Sequence, residues 1–201
     1  MDENKMDRRT FFCKSAGCGA GLALLAFPGI ISGVMAEKEG KSKEDIIKEL
    51  EEKAAKFMPM YRACSSASFA ALNEQFNLKA GNAIRPLMPF AGGIGGRGET
   101  CGAVAGSILA IGFFFEPSNQ MGTKKPGSSN RFASMFFDRF TKAFGSTRCR
   151  EVVKHQYGRY YDFAKPEDMK LFMEASRKTN KCAEVIKTAV RIAGEIILES
   201  S

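Results

Sequence analysis

Apolar residues recur at helical spacing along most of the chain and almost never alternate, so the pattern reads as helices joined by Gly- and Pro-rich loops. Ser42 can cap a charged helix that runs to about Met58, with Asp45 in its first turn. Pro59 breaks that pattern and opens a second helix, whose stripe is Phe57, Met60, Cys64, Ala67 and Ala71 at helical spacing. Residues 78–98 read as a loop, with Pro86, Pro89 and a run of glycines. Residues 100–115 carry no charge, but sixteen residues are short for a membrane span, so this segment reads as a buried central helix. After a polar Pro/Gly/Ser loop over residues 116–130, helical spacing resumes from Phe132 to Phe144. Ser146 can cap a short helix that holds Cys149. Pro166, Glu167 and Asp168 open one long last helix, with the stripe Ala175, Thr179, Cys182, Ile186, Ala189, Ala193 and Ile196. Lys187, Arg191 and Glu195 lie off that stripe. The expected fold is all-α: a single compact domain of about five to six helices after an N-terminal segment of different character.

That segment begins Asp7-Arg8-Arg9-Thr10-Phe11-Phe12-Cys13-Lys14 and continues without charge through residues 15–36. A basic start, an apolar middle and a small-residue end describe a removable export signal. The pair Arg8 and Arg9 with Phe11 points to the twin-arginine route, which carries folded proteins across a membrane. Asp7 stands where that motif has Ser, Phe12 where it has Leu, and Lys14 falls one place late. Val34-Met35-Ala36 suits cleavage after Ala36, giving a signal over 1–36 and a mature domain over 37–201. The alternative, a retained anchor, is opposed by Gly17, Gly19, Gly21 and Pro28, which interrupt the apolar run. The expected location is therefore periplasmic or otherwise exported, with the twin-arginine machinery as a partner.

The charge balance changes the picture only a little. The chain carries 30 Lys and Arg against 22 Asp and Glu, but the signs interleave, as in Lys41-Ser42-Lys43-Glu44-Asp45. Interleaved charge describes solvated helix faces and gives no nucleic-acid stripe. A modest basic excess suits an acidic protein partner or peripheral contact with anionic lipid. Seventeen Phe and no Trp suit a phenylalanine-filled core.

Cysteine supplies the candidate chemistry. Cys13 and Cys18 leave with the signal, so Cys64, Cys101, Cys149 and Cys182 remain in the mature chain. They follow one another at intervals of 37, 48 and 33 residues, with no C-x-x-C, which excludes zinc-ribbon and bacterial ferredoxin spacing. Each falls on its own helical segment, Cys101 within a first turn and Cys149 three residues after Ser146. Helix N-termini favour thiolates, and Arg148 and Arg150 flank Cys149, where they can neutralise negative charge. Two disulfides in one of three pairings, a metal or iron–sulfur cage, and inert core thiols all remain open on this pattern.

The remaining motifs are weaker. Gly93-Ile94-Gly95-Gly96-Arg97-Gly98 satisfies G-x-G-x-x-G, but no strand precedes it, so no nucleotide is expected. It reads as a tight loop whose N–H groups approach Cys101 and any bound cluster, where hydrogen bonds to sulfur raise the potential. Gly102 and Gly106 favour close helix packing. His155, the only histidine, suits a surface or capping role. Lys154, Tyr157, Arg159, Tyr160 and Tyr161 form a basic aromatic run that packs beside the core or docks a partner.

Thr100-Cys101-Gly102-Ala103-Val104-Ala105-Gly106 resembles the signature of the redox-active proteins named for their C…GCAxxG…C…C pattern, although Gly102 here follows the cysteine. Cys64 in Tyr61-Arg62-Ala63-Cys64 looks like that family's first cysteine, and Cys149 and Cys182 look like its third and fourth. The resemblance spans about residues 55–193. It implies a small helical redox protein, some relatives being exported by twin-arginine signals, with an iron–sulfur centre on Cys64, Cys101, Cys149 and Cys182. The cysteine domain of split-Soret cytochromes is similar and implies [2Fe–2S] over [4Fe–4S]. With no C-x-x-C-H here, no haem is expected. The function so implied is electron transfer to or from a partner, as a carrier or accessory subunit more than a stand-alone enzyme. The alternatives are a thiol–disulfide protein and an accessory subunit with a structural metal site.

Overall fold

The computed structural model describes residues 41–116 and 129–200. Arg8, Arg9, Phe11 and the cleavage point at Ala36 lie outside the described residues. Seven α-helices follow in order: α1 (Lys43–Tyr61), α2 (Cys64–Phe76), α3 (Gly102–Phe115), α4 (Asn130–Phe144), α5 (Cys149–Tyr157), α6 (Pro166–Lys178) and α7 (Lys181–Glu199). Short 3-10 helices over Gly81–Ala83 and Arg85–Phe90 lie within the expected 78–98 loop. Among the described residues there is no strand, only an isolated antiparallel bridge between Thr100 and Arg148.

The helix starts obey local chemistry in part. Ser42 caps α1, its hydroxyl accepting from the Asp45 N–H at 3.1 Å. Pro59, expected to divide two helices, lies inside α1. A proline forfeits the one hydrogen bond its N–H would make to the preceding turn, and this close to the helix end the rest of the ladder survives. The stop comes at Arg62, in the left-handed region at φ 52°, whose N–H bonds Met58 O at 2.9 Å. Ser146 is also not the expected cap. Its hydroxyl accepts from the Arg148 N–H at 3.0 Å, and α5 starts after Arg148.

The expected long last helix is two helices. Thr179 takes an extended conformation, φ −143° and ψ 103°, and separates α6 from α7. Tyr157 holds this break: its hydroxyl donates to Thr179 O at 3.3 Å, lies 3.2 Å from Ser176 Oγ and accepts from the Cys182 N–H at 3.4 Å. The apolar stripe read across 175–196 therefore spans a break between two helices, and α6 buries no residue while α7 buries nine.

The core forms around α7 and α3. α7 packs against α1, α2, α3, α4 and α5, and α3 packs most extensively on α2. A Cβ at Gly106 would overlap Ser65 O and Ser68 Oγ, so this glycine sets the α2–α3 approach as its position suggested. Phe132, Phe136, Phe140 and Phe144 recur every fourth residue on α4 and are all buried, and with Phe57 and Phe69 they put six of the seventeen phenylalanines in the core. On α2, Ser65 and Ser66 are buried and donate to Leu87 O at 2.7 Å and Ile84 O at 2.8 Å, pinning the 3-10 segment to the core. The described helices form one compact helical domain.

Candidate functional site

All four cysteines of the described residues stand at helix starts. Cys64 is the first residue of α2, Cys101 is the N-cap of α3, Cys149 is the first residue of α5, and Cys182 is the second residue of α7. All four line one cavity of about 440 Å³, with Val152, Val185 and Phe172 among its apolar walls. Each cysteine in the described residues is an unpaired thiol, Cys101 and Cys149 buried and the other two partly so.

A short ribbon brings the two middle cysteines together. Around the Thr100–Arg148 bridge, the Cys101 N–H donates to Thr147 O at 2.8 Å, the Cys149 N–H to Glu99 O at 2.5 Å, and the Arg150 N–H to Gly98 O at 3.0 Å. Two starts of separate helices are thereby held side by side, and the two thiols hydrogen-bond to each other. Glycine is required at two points. Gly93 has φ +74°, and a Cβ there would lie 2.6 Å from both Cys149 Cβ and Glu99 N. A Cβ at Gly102 would collide with Cys64 Sγ.

The arginines flanking Cys149 have a different task from the expected one. Arg148 meets the Glu99 carboxylate at 2.9 Å, while Arg150 meets it at 3.1 Å and donates to Arg97 O at 2.9 Å. They clamp the glycine loop onto α5 and are not free to neutralise charge inside the cavity. The Arg148 hydrogen bond, with the attraction of both arginines, holds the Glu99 carboxyl below the usual carboxylate range.

The electrostatics show what four such thiols do to one another. Cys101 is shifted down, chiefly because its sulfur accepts from Cys149, with further help from the Ala103 and Val104 N–H groups at the start of α3. Burial pushes Cys64 up to about 12 and Cys182 to about 11, with repulsion from Cys101 adding to both. Cys149 is shifted up as the donor to Cys101, then by burial and by the other sulfurs. One thiolate is favoured, and each further one meets a buried like charge. The Gly92 and Ser65 N–H groups point at the Cys64 sulfur and partly offset this. The glycine loop was expected to approach Cys101; it serves Cys64 and Cys149, and α3 itself serves Cys101.

The sequence located the helix starts at Cys101 and Cys149 and missed those at Cys64 and Cys182. Asn180, a cap-type residue two places before Cys182, was the available signal for α7. Ala63 makes no side-chain cap, so Cys64 had none. His155 is exposed, edge-on to Phe144 and hydrogen-bonded to Gln156, away from the cavity lining. From the basic aromatic run, Tyr157 and Tyr161 pack around Phe172 of α6, each with ring centroids 5.5 Å from it. Among the described residues, no three His, Cys, Asp or Glu side chains are gathered as a single-ion site. The four sulfurs surround a space and do not close on a point.

The chain is a helical domain that gathers four thiols from four helix starts around one cavity. A family model described as "Putative redox-active protein (C_GCAxxG_C_C)" matches residues 62–196, and the chain belongs to that family. A protein of Archaeoglobus fulgidus, described as "Uncharacterized protein", is 26% identical over 140 residues, covering 65% of this chain and 82% of its own. No solved structure matches.

Proposed function

We propose that Cys64, Cys101, Cys149 and Cys182 hold an iron–sulfur cluster, [2Fe–2S] in preference to [4Fe–4S], and that the protein passes electrons to or from a partner. The observation that carries this reading is the arrival of four thiols at one cavity from four helix N-termini. Each helix start turns the positive end of its dipole toward its cysteine, so the four together favour negative charge in the space they enclose. The donor set is all sulfur, which suits iron in a cluster. Four thiols that resist joint ionisation by themselves need a cationic centre to become four thiolates. Once bound, the cluster supplies a one-electron centre whose potential responds to hydrogen bonds on the ligating sulfurs. The Gly92 and Ser65 N–H groups on Cys64, and those of Ala103 and Val104 on Cys101, are such bonds, and they raise that potential.

Export belongs to the same reading: Arg8, Arg9 and Phe11 direct the folded protein out of the cytoplasm, Ala36 precedes the cut, and the loaded domain acts in the periplasm. A second reading has one observation of its own. Cys101, acidified by the thiol of Cys149, resembles the nucleophile of a dithiol pair, which would give two protons and two electrons to a disulfide of a partner, reducing it to two thiols as the Cys101 and Cys149 sulfurs join.

Anaerobically isolated protein should show a visible absorption band that bleaches on reduction and returns on oxidation. Changing any of the four cysteines to Ser should remove it. A protein that binds iron but cannot be cycled would make the metal site structural.

A further inference from the structure

We infer that the face around the mouth of the cysteine cavity is a docking surface for a protein partner that presents acidic residues around an apolar patch. The inference takes its purpose from the electron-transfer reading and its geometry from independent features. Among the described residues, eight large apolar side chains are exposed, and seven lie on the segments that border the cavity: the end of α1, the Arg85–Phe90 helix with the glycine loop, and α6. Met60 is 62% exposed, Ile94 46% and Met173 47%, and the exception is Phe137 on α4. A folded surface normally scatters such residues singly, so their concentration on one set of segments marks an interaction site.

The segments are joined into one face. Pro59 and Arg62 at the end of α1, Gly92 in the loop and Met173 on α6 line the same cavity. The loop reaches α6 through Phe163, which would touch a Cβ at Gly92 and stacks edge-on to Phe172 with centroids 4.7 Å apart. Met169 and Met173 are one turn apart on α6, with Arg177 one turn further on.

Charge identifies the occupant. Arg62, Arg85, Arg97 and Arg177 are exposed on these segments and make no side-chain hydrogen bond or ion pair with any described residue. No acidic residue occurs between Gln75 and Gly98. Glu99 is engaged by Arg148 and Arg150 and Asp168 by Arg159, while on α6 the exposed Glu167 and Glu174 stand against Lys170, Arg177 and Lys178. Methionine and arginine are the residue types enriched at protein interfaces, and flexible thioethers adapt to an opposing surface. That composition, set around a recess, favours a protein over a lipid surface.

The test uses an acidic amphipathic helical peptide, leucines on one face and glutamates along its borders, titrated into the purified protein by calorimetry. Its lysine counterpart and vesicles of phosphatidylglycerol with phosphatidylcholine serve as alternatives. The acidic peptide should bind and the lysine peptide should not. The double variant Arg62→Glu with Arg97→Glu should weaken binding about tenfold at low salt, and much less at high salt. Met60→Ser with Met173→Ser should weaken it at both, and unchanged circular dichroism checks that each variant is folded. Indifference of binding to the arginines overturns the inference, as does a protein that binds vesicles in an arginine-dependent way and ignores the peptide. Iron is assayed in the same samples. Iron-free protein that shows the arginine-dependent binding leaves the surface standing without the cluster, and iron-loaded protein that ignores the peptide overturns the surface alone.

Discussion

Gly93 and Gly145 both adopt positive φ, +74° and +75°, yet they differ in what surrounds them. Nothing lies within 4 Å of a Cβ built at Gly145, whereas one at Gly93 would meet Cys149 and the backbone at Glu99 and Gly98. Alanine at Gly145 therefore costs backbone strain alone, about 1 kcal/mol. Alanine at Gly93 adds a steric conflict that can be relieved only by moving Cys149 or the ribbon, so a loss of more than about 2 kcal/mol is expected. Urea unfolding should rank the two variants in that order. Iron retention should fall in Gly93→Ala and stay at the parent level in Gly145→Ala. Equal iron retention in both would mean that Cys149 does not need its position. At this scale the sequence was informative about identity and silent about contact. The four cysteines stood out by type, but that Gly102 faces the Cys64 sulfur depends on two segments 38 positions apart meeting.

The elements that were read correctly carry their own signals. Ser42 caps α1, the uncharged 100–115 segment is the buried α3, and the fourfold phenylalanine repeat is α4. The failures at the last helix and at the ribbon share a cause, since tertiary contacts decided against local propensity. Tyr157, 22 residues away, helps hold Thr179 extended and divides α6 from α7, so Cys182 moves from mid-helix to a helix start. The 98–101 and 147–150 segments carry no strand pattern, because they make a ribbon of only a few hydrogen bonds. Glu99 ties that ribbon to both arginines beside Cys149, so Glu99→Gln should speed amide exchange at Cys149 and Arg150. The pH dependence has a definite sign. A carboxyl held low in the folded state stabilises above the ordinary carboxylate value of about 4.3 and loses that contribution as pH falls through the lowered value. Exchange in the parent protein should therefore approach that of Glu99→Gln in acid. Parent and variant that exchange alike at neutral pH would show that the carboxylate does not hold the ribbon.

At the scale of the whole molecule, four helix starts and one glycine loop converge on a cavity whose rim carries exposed methionines and arginines that pair with no carboxylate among the described residues. The all-α class and the family were legible from spacing and from the cysteine pattern. The convergence of four helix starts was not, because it depends on how α2, α3, α5 and α7 are arranged around the core. Native mass spectrometry of protein isolated without exposure to air tests the central claim most directly. The mass of the polypeptide reports whether the chain starts at Glu37, and the added mass reports what the thiols hold. Iron–sulfur ligation predicts an increment of two irons and two sulfides on an intact chain, absent when Cys64, Cys101, Cys149 or Cys182 is changed to Ser. A bare chain lighter by four protons, as two disulfides require, or a chain heavier by a single zinc, would contradict it.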